Sequence, residues 1–114
     1  MAITKSALSK KEQLLLKEFK DLLLKSFPDE ILEIRVFGSR ARGQATSESD
    51  LDVLIITRHE DYRLSDRIID LSCDLLLKHR IYISPKVISR RHYGELEAMD
   101  SDFLYQVKQE GILL

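Results

Sequence analysis

Several features that mark common protein classes are scarce in this sequence. The 114 residues include one cysteine, Cys73, and only two prolines and four glycines. A single cysteine cannot form a disulfide within the chain, so we expect a reducing, cytoplasmic location. No apolar run approaches the roughly 20 residues that a membrane span needs, and the first ten residues lack the apolar centre of a signal peptide. The sequence therefore predicts a protein with no membrane association.

An excess of charge of either sign is also missing. The chain has 18 basic and 19 acidic residues, a net charge of -1 and a pI near 6.3. Proteins that bind long nucleic acids use a basic surplus to displace counterions from phosphates, so nucleic acid is not the expected partner. Small phosphorylated ligands remain compatible with this charge. Hydrophobic residues make up 44% of the chain, and we find no linker or repeat, so we predict a single domain over residues 1–114.

The first half of the chain predicts one helix and two strands. Ser9 followed by Glu12 forms a capping box, which predicts a helix that ends before Pro28. Alternating residues over 32–37 predict a strand that ends at Gly38. The run over 51–57 is apolar on both faces, as in a central strand that is covered on both sides.

The second half predicts two helices around a third strand. Helical periodicity over 61–78 places apolar residues on one broad face, on which Cys73 is expected to be a core residue. A strand over 81–88 contains Pro85 and should therefore lie at a sheet edge or carry a bulge. Asp100 is the expected cap of a last helix that stops at Gly111. This order indicates an α/β fold with a small mixed β-sheet and flanking helices.

The chemistry is concentrated in two short segments, Gly38-Ser-Arg-Ala-Arg-Gly43 and Ser49-Asp-Leu-Asp-Val53. Gly38 has no Cβ, which allows a ligand to approach the backbone where the strand ends. Ser39 then offers a hydroxyl and an N–H group at the start of a helical turn, where phosphate is favoured. Taken alone, Gly-Ser is also a common turn pair, so this segment by itself does not decide between the two interpretations.

Asp50 and Asp52 are separated by one residue at the start of a strand, so both side chains leave the same face. Neighbouring carboxylates repel each other unless a cation lies between them, and oxygen ligands of this kind suit Mg²⁺. The alternative is that Asp50 is a turn residue and Asp52 a solvated charge. A calcium loop and a P-loop are excluded because their patterns do not occur in the sequence.

Together the two segments resemble the signature of nucleotidyltransferases of the DNA polymerase beta superfamily, particularly the minimal nucleotidyltransferases. The resemblance implies a polymerase-beta-like fold in which Gly38 and Ser39 contact a nucleoside triphosphate, with ATP as the expected one. It also implies that Asp50 and Asp52 hold Mg²⁺ or Mn²⁺, and it places Arg40 and Arg42 beside the triphosphate. For Arg42 the alternative is a pairing with a surface acid.

One departure from the family pattern leaves the activity open. The family usually supplies a third carboxylate from the next strand, at a position near Tyr82 or Ser84, but residues 80–89 contain no acid. The consequence is slower catalysis, a substitute carboxylate or no catalysis. The resemblance implies AMP transfer to a HEPN-type partner protein in a toxin–antitoxin pair, and a homo-oligomer is also considered. The alternative is a degenerate binding module that neutralises its partner by contact.

Overall fold

The computed structural model describes residues 8–38 and 50–114, and it contains a mixed α/β arrangement. Along the chain the elements are α1 (Lys10–Ser26), β1 (Ile31–Phe37), β2 (Leu51–Thr57), α2 (Tyr62–His79), β3 (Ile83–Ser89), α3 (Arg90–Ala98), α4 (Asp102–Glu110) and β4 (Ile112–Leu113). The strands form one sheet in the order β3-β2-β1-β4. The predicted fold class, a small mixed sheet with flanking helices, is confirmed.

Helix α1 begins at the predicted capping box. The backbone N–H of Glu12 donates to Ser9 Oγ at 3.1 Å, and the backbone N–H of Ser9 donates to Glu12 Oε1 at 2.8 Å. These two bonds satisfy N–H groups that a helix start leaves without partners. The helix ends at Ser26, just before Pro28, because proline cannot continue the hydrogen-bond pattern.

The central strand is β2, which pairs antiparallel with β1 and parallel with β3. Every β2 residue is buried except Asp52, which is half-buried, as expected for a strand that is covered on both sides. Strand β3 lies at the sheet edge and runs without interruption through Pro85, which has the register position opposite Val53. An edge strand tolerates proline because one side of its backbone needs no ladder partner.

The two faces of the sheet are covered by different helices. Helices α1 and α2 pack on the face that carries Val53 and Ile55, and this larger cluster contains Phe19. Helices α3 and α4 contribute to the smaller cluster on the other face, which contains Leu54 and Ile56. Since side chains alternate along a strand, Asp52 belongs to the same face as these last two residues.

Three features differ from the sequence-based predictions. Residues 90–98, for which the sequence analysis predicts no element, form α3, and residues 90–92 are its exposed first turn. Ser101 caps α4, because Asp100 has φ 51° and lies in the left-handed connection between α3 and α4. The short strand β4 is not predicted from sequence; its two residues pair with β1 at Arg35 and Val36.

The prediction that Cys73 is a core residue is wrong. Its thiol is exposed, while the neighbouring Ser72 and Leu75 are buried. Helix α2 has apolar residues on two faces, and the sheet covers only one of them. No helix within residues 8–38 and 50–114 is long and apolar enough to cross a membrane.

Candidate functional site

Gly38 lies directly after β1 with φ 83°, a conformation that side chains with a Cβ rarely adopt. A Cβ built on this residue would lie 2.3 Å from Oδ2 and 3.2 Å from Cγ of Asp52. Both distances are too short for non-bonded atoms, so a glycine is required for the Asp52 carboxylate to lie against the backbone. The glycine therefore has a role within the chain, in addition to the ligand access expected from its sequence.

The two aspartates lie at the start of β2. Asp50 is exposed and immediately precedes the strand, whereas Asp52 is its second residue and is half-buried. Their spacing places both carboxylates on the face that Leu54 continues. The Asp50 side chain forms no hydrogen bond or ion pair with another described residue. Two negative groups on one face next to a glycine turn form a set of oxygen donors that suits a hard divalent cation.

The neighbouring strands determine which residues surround Asp52. In the antiparallel register Phe37 lies opposite Asp52, and its ring packs edge-on against Phe103 with the centroids 5.5 Å apart. In the parallel register Ser84 lies opposite Asp52 on the other side. The pairing continues one step beyond β3, because the N–H of Leu51 donates to the carbonyl of Tyr82 at 2.9 Å.

This register explains where a third carboxylate would have to lie. Tyr82 and Ser84 lie beside the segment that carries Asp50 and Asp52. These are the two positions near which the sequence analysis expects the third carboxylate. Strand β3 contains no acidic residue. The next residue of β3 on this face is the exposed Lys86, which the sequence analysis did not single out. Side chains alternate between the two faces of a strand, so Lys86 is expected on the same face as Ser84, two residues earlier.

The predicted site residues fall into two groups. Gly38, Asp50 and Asp52 are described, and the structure brings Gly38 and Asp52 together across β1 and β2. Asp50 lies two residues before Asp52, immediately before β2. The remaining three, Ser39, Arg40 and Arg42, lie outside the described residues.

Some surface groups away from this site have shifted pKa values. Hydrogen bonds from Lys78 and His79 lower the pKa of Glu18, and a hydrogen bond to Glu97 raises the pKa of Lys108. Two cavities of about 540 Å³ lie beside α1 and beyond the ends of β2 and β3, and the residues that line them do not include Gly38 or Asp52.

Comparison with known proteins supplies relatives that cover most of the chain. A putative protein adenylyltransferase of Methanocaldococcus jannaschii is 36% identical over 103 residues, which are 90% of this chain and 97% of the relative. A second protein of that name from the same organism is 29% identical over 99 residues, covering 86% and 93% of the two chains.

Solved structures with similar folds point in the same direction. A putative nucleotidyltransferase from Sulfolobus solfataricus matches with TM-score 0.52 at 22% identity, covering 96% of this chain and 86% of that one. A toxin–antitoxin complex crystallised with AMP-PNP matches with TM-score 0.54 at 16% identity, covering 85% and 70%. At these identities the likeness shows the fold. The family model described as "Nucleotidyltransferase domain" matches residues 15–109, and the chain belongs to that family.

Proposed function

We propose that this protein transfers AMP from ATP to a hydroxyl group of a partner protein, using Mg²⁺ or Mn²⁺ held by Asp50 and Asp52. The observation that carries the proposal is the contact between the glycine turn and the second aspartate. Gly38 allows the Asp52 carboxylate to lie against the backbone where β1 ends, and the proposed phosphate-binding residues follow Gly38 in the sequence. The relatives named protein adenylyltransferases support a protein as the acceptor.

In the proposed reaction the acceptor oxygen attacks the α-phosphorus of ATP. The bond from the α-phosphorus to the oxygen that bridges to the β-phosphate breaks, and pyrophosphate leaves. Asp50 and Asp52 would hold a divalent ion, which would supply positive charge next to the phosphate oxygens. The acceptor proton passes to water or to a phosphate oxygen. Ser39, Arg40 and Arg42 are the proposed contacts to the triphosphate.

The proposed acceptor is a HEPN-type partner in a toxin–antitoxin pair, with both proteins in the cytoplasm. The structural neighbour in a toxin–antitoxin complex supports a protein partner as well as a nucleotide. Helices α1 and α2 cover one face of the sheet, whereas the aspartates belong to the other face. In the proposed arrangement a partner presents its hydroxyl from the side of Ser84, where β3 forms the edge of the sheet.

The proposal is tested by measuring the intact mass of the protein encoded by the adjacent reading frame. After incubation with this protein, ATP and Mg²⁺, we expect a mass gain of one AMP, lost with Asp52→Asn. Asp74→Asn is the matched control, because Asp74 is an exposed carboxylate on α2, in the other layer. An adduct formed equally well by the Asp52→Asn variant would contradict the assignment.

A second candidate function is neutralisation of the partner by contact alone. The observation that favours it is the serine at position 84, where the register places a residue beside Asp52 and the family pattern expects an acid. The two functions predict different behaviour of Asp52→Ala. If that variant inhibits the partner fully and no NTP yields an adduct with the unaltered protein, the binding function is correct.

A further inference from the structure

Tyr82 immediately precedes β3, at the end of the sheet where β2 also begins. Its carbonyl accepts a hydrogen bond from the N–H of Leu51 at 2.9 Å, so its backbone takes part in the pairing of the two strands. In this register Leu51 is opposite Ile83, and one further step brings Tyr82 opposite Asp50. Neighbouring strands lie about 4.7–4.9 Å apart, so Tyr82 and Asp50 are direct neighbours across the ladder.

The side chain of Tyr82 belongs to the face of the sheet that carries Asp52. The next residue, Ile83, is fully buried in the larger cluster, with residues of α1 and α2. Side chains alternate along an extended segment, so Tyr82 and Ser84 belong to the opposite face, that of the smaller cluster. Asp50 and Asp52 share this face. The phenol ring and the two carboxylates therefore leave the sheet side by side.

The hydroxyl of Tyr82 is available to react. The residue is 40% exposed, and its hydroxyl forms no hydrogen bond with any residue in the described ranges. Side chains of an extended segment stand roughly perpendicular to the sheet, so this hydroxyl lies farther above the sheet than that of Ser84. A phenol also gives up its proton more readily than an aliphatic hydroxyl. This property favours a phenol as the acceptor where β3 contains no acid to take the proton.

We propose that the Tyr82 hydroxyl accepts AMP from ATP bound at the nucleotide site of its own chain. The inference rests on the proposed function, which assigns AMP transfer to the site of Asp50 and Asp52. The phenol oxygen forms a new bond to the α-phosphorus, the bond from that phosphorus to the oxygen that bridges to the β-phosphate breaks, and pyrophosphate leaves. The phenol proton passes to water or to a phosphate oxygen. The product is an O-adenylyl tyrosine at position 82.

Placement rather than exposure selects Tyr82 among the four tyrosines of the chain. Tyr62 and Tyr105 are more exposed, at 91% and 66%. However, Tyr62 begins α2 beyond the far end of β2, and that strand alone is roughly 20 Å long. Tyr105 lies on α4 and lines a separate cavity of about 220 Å³, and Tyr93 packs against the smaller cluster. Only Tyr82 is aligned with an aspartate of the site in the sheet register.

The first test incubates the protein with ATP and Mg²⁺ in the absence of a partner and measures its intact mass. We expect a gain of one AMP, which peptide fragmentation should locate on Tyr82. Tyr82→Phe keeps the ring and removes only the hydroxyl, so it should lose the modification. Tyr62→Phe removes a more exposed hydroxyl and is the matched control, which should be modified as the unaltered protein is. Because placement beside the reacting atom raises rates by orders of magnitude, AMP on Tyr62 should be at least about 10²-fold rarer.

The result for the partner separates this inference from the proposed function. If the protein encoded by the adjacent reading frame gains AMP and Tyr82 does not, the inference is wrong and the proposed function stands. If neither gains AMP, both are wrong. AMP located on Tyr62 or Tyr105 would also overturn the inference, because exposure rather than placement would then select the acceptor.

The second test establishes which chain donates the AMP. Unaltered protein is mixed with isotope-labelled Asp52→Asn protein, which keeps Tyr82 but lacks one of the proposed metal ligands. We expect AMP only on the unaltered chains, and the modified fraction at a given time should not change with protein concentration. Equal modification of the labelled chains would overturn transfer within one chain.

The third test requires no transfer, because it locates Tyr82 relative to the proposed metal site. Mn²⁺ broadens the NMR signals of nearby protons, and α,β-methylene ATP cannot release pyrophosphate. With this analogue present, Mn²⁺ should broaden the ring signals of Tyr82, identified by their loss in Tyr82→Phe, at lower concentrations than those of Tyr62. The double variant Asp50→Asn/Asp52→Asn should remove this difference. Equal broadening of the two rings in the unaltered protein would contradict the placement of Tyr82 beside the site.

Discussion

The two ends of the paired strands β2 and β3 carry acidic residues in opposite electrostatic settings. At the end where both strands finish, Glu60 accepts hydrogen bonds from Ser89 Oγ and from the Arg91 guanidinium. The buried Thr57 hydroxyl donates to the carbonyl of His59 at 2.9 Å. Ser89 Oγ also accepts from the backbone N–H of His92, in the first turn of α3. Here the chain supplies a partner for each of these polar groups.

At the end where β2 and β3 begin, the chain places like charges on one face. Asp50 is exposed without an ion pair to any described residue, and Asp52 is held against Gly38. Repulsion between neighbouring carboxylates is relieved by a bound cation. Acids with internal partners stabilise the fold at one end, whereas at the other end two neighbouring carboxylates share one face, an arrangement that suits a divalent cation.

Among the substitutions that test this comparison, we expect the largest effect from Gly38→Ala. The new methyl group would collide with the Asp52 carboxylate and displace it, and the positive φ costs an alanine about 1–2 kcal/mol. We therefore expect AMP transfer to be lost and the free energy of unfolding to fall by at least this amount. Urea denaturation and the intact-mass assay measure the two effects.

Two controls separate collision from backbone strain in that experiment. Gly94→Ala introduces a methyl group within α3 that meets no atom within 4 Å, and it should stabilise the protein by roughly 0.5–1 kcal/mol. In an Asp52→Ala background, Gly38→Ala should cost less than in the unaltered protein, because only the backbone strain remains. An equal cost in both backgrounds would contradict the contact between the two residues.

The elements that sequence predicted well are those with strong local signals. Helix α1 has a capping box and a continuous apolar face, and β2 is apolar over nearly its whole length. Helix α3 has no buried residue, so it presents no periodicity to detect. Strand β4 has two residues and depends on pairing with β1, which is distant in sequence. Cys73 was misplaced because helical spacing shows which residues share a face but not which face is covered.

In the candidate site, too, local sequence patterns predict some features, whereas others depend on how the strands pair. That Asp50 and Asp52 share a face follows from the two-residue period of a strand. The contact of Asp52 with Gly38 depends on how β1 and β2 pair, which no local pattern contains. The alignment of Ser84 with Asp52 was approximate from sequence, and the parallel register fixes it to a single residue.

The next largest effect concerns the proposed metal site of Asp50 and Asp52. Two carboxylates leave most of the coordination shell to water and phosphate, so we expect Mg²⁺ to bind weakly alone and more tightly when ATP is present. In the double variant Asp50→Asn/Asp52→Asn this increase should disappear. Calorimetric titrations of Mg²⁺ with and without ATP make the measurement, and unchanged Mg²⁺ binding by the double variant would contradict a metal site here.

Ser84→Asp should strengthen the contrast between the two ends by adding a third acid beside Asp52. If the unaltered protein lacks a general base, the new carboxylate should raise the rate of AMP transfer by up to about 10²-fold. Tyr82→Asp is the matched comparison and should raise it less, since the register aligns Asp52 with Ser84. Initial rates at saturating ATP test this order. A larger increase in rate for Tyr82→Asp than for Ser84→Asp would contradict the alignment of Asp52 with Ser84.

The smallest effect is expected at the internally paired end, from Glu60→Gln. The hydrogen bonds from Ser89 and Arg91 lower the pKa of Glu60, so the ionised carboxylate is favoured in the folded state. Its contribution to stability is therefore present above the ordinary pKa of 4.5 and disappears as the pH falls through the lowered value. Unfolding temperatures of the two proteins should differ near neutral pH and converge in acid.

Asp74→Asn, which removes one exposed carboxylate, controls for net charge. AMP transfer should not change, because Glu60 lies at the end of β2 away from the aspartates.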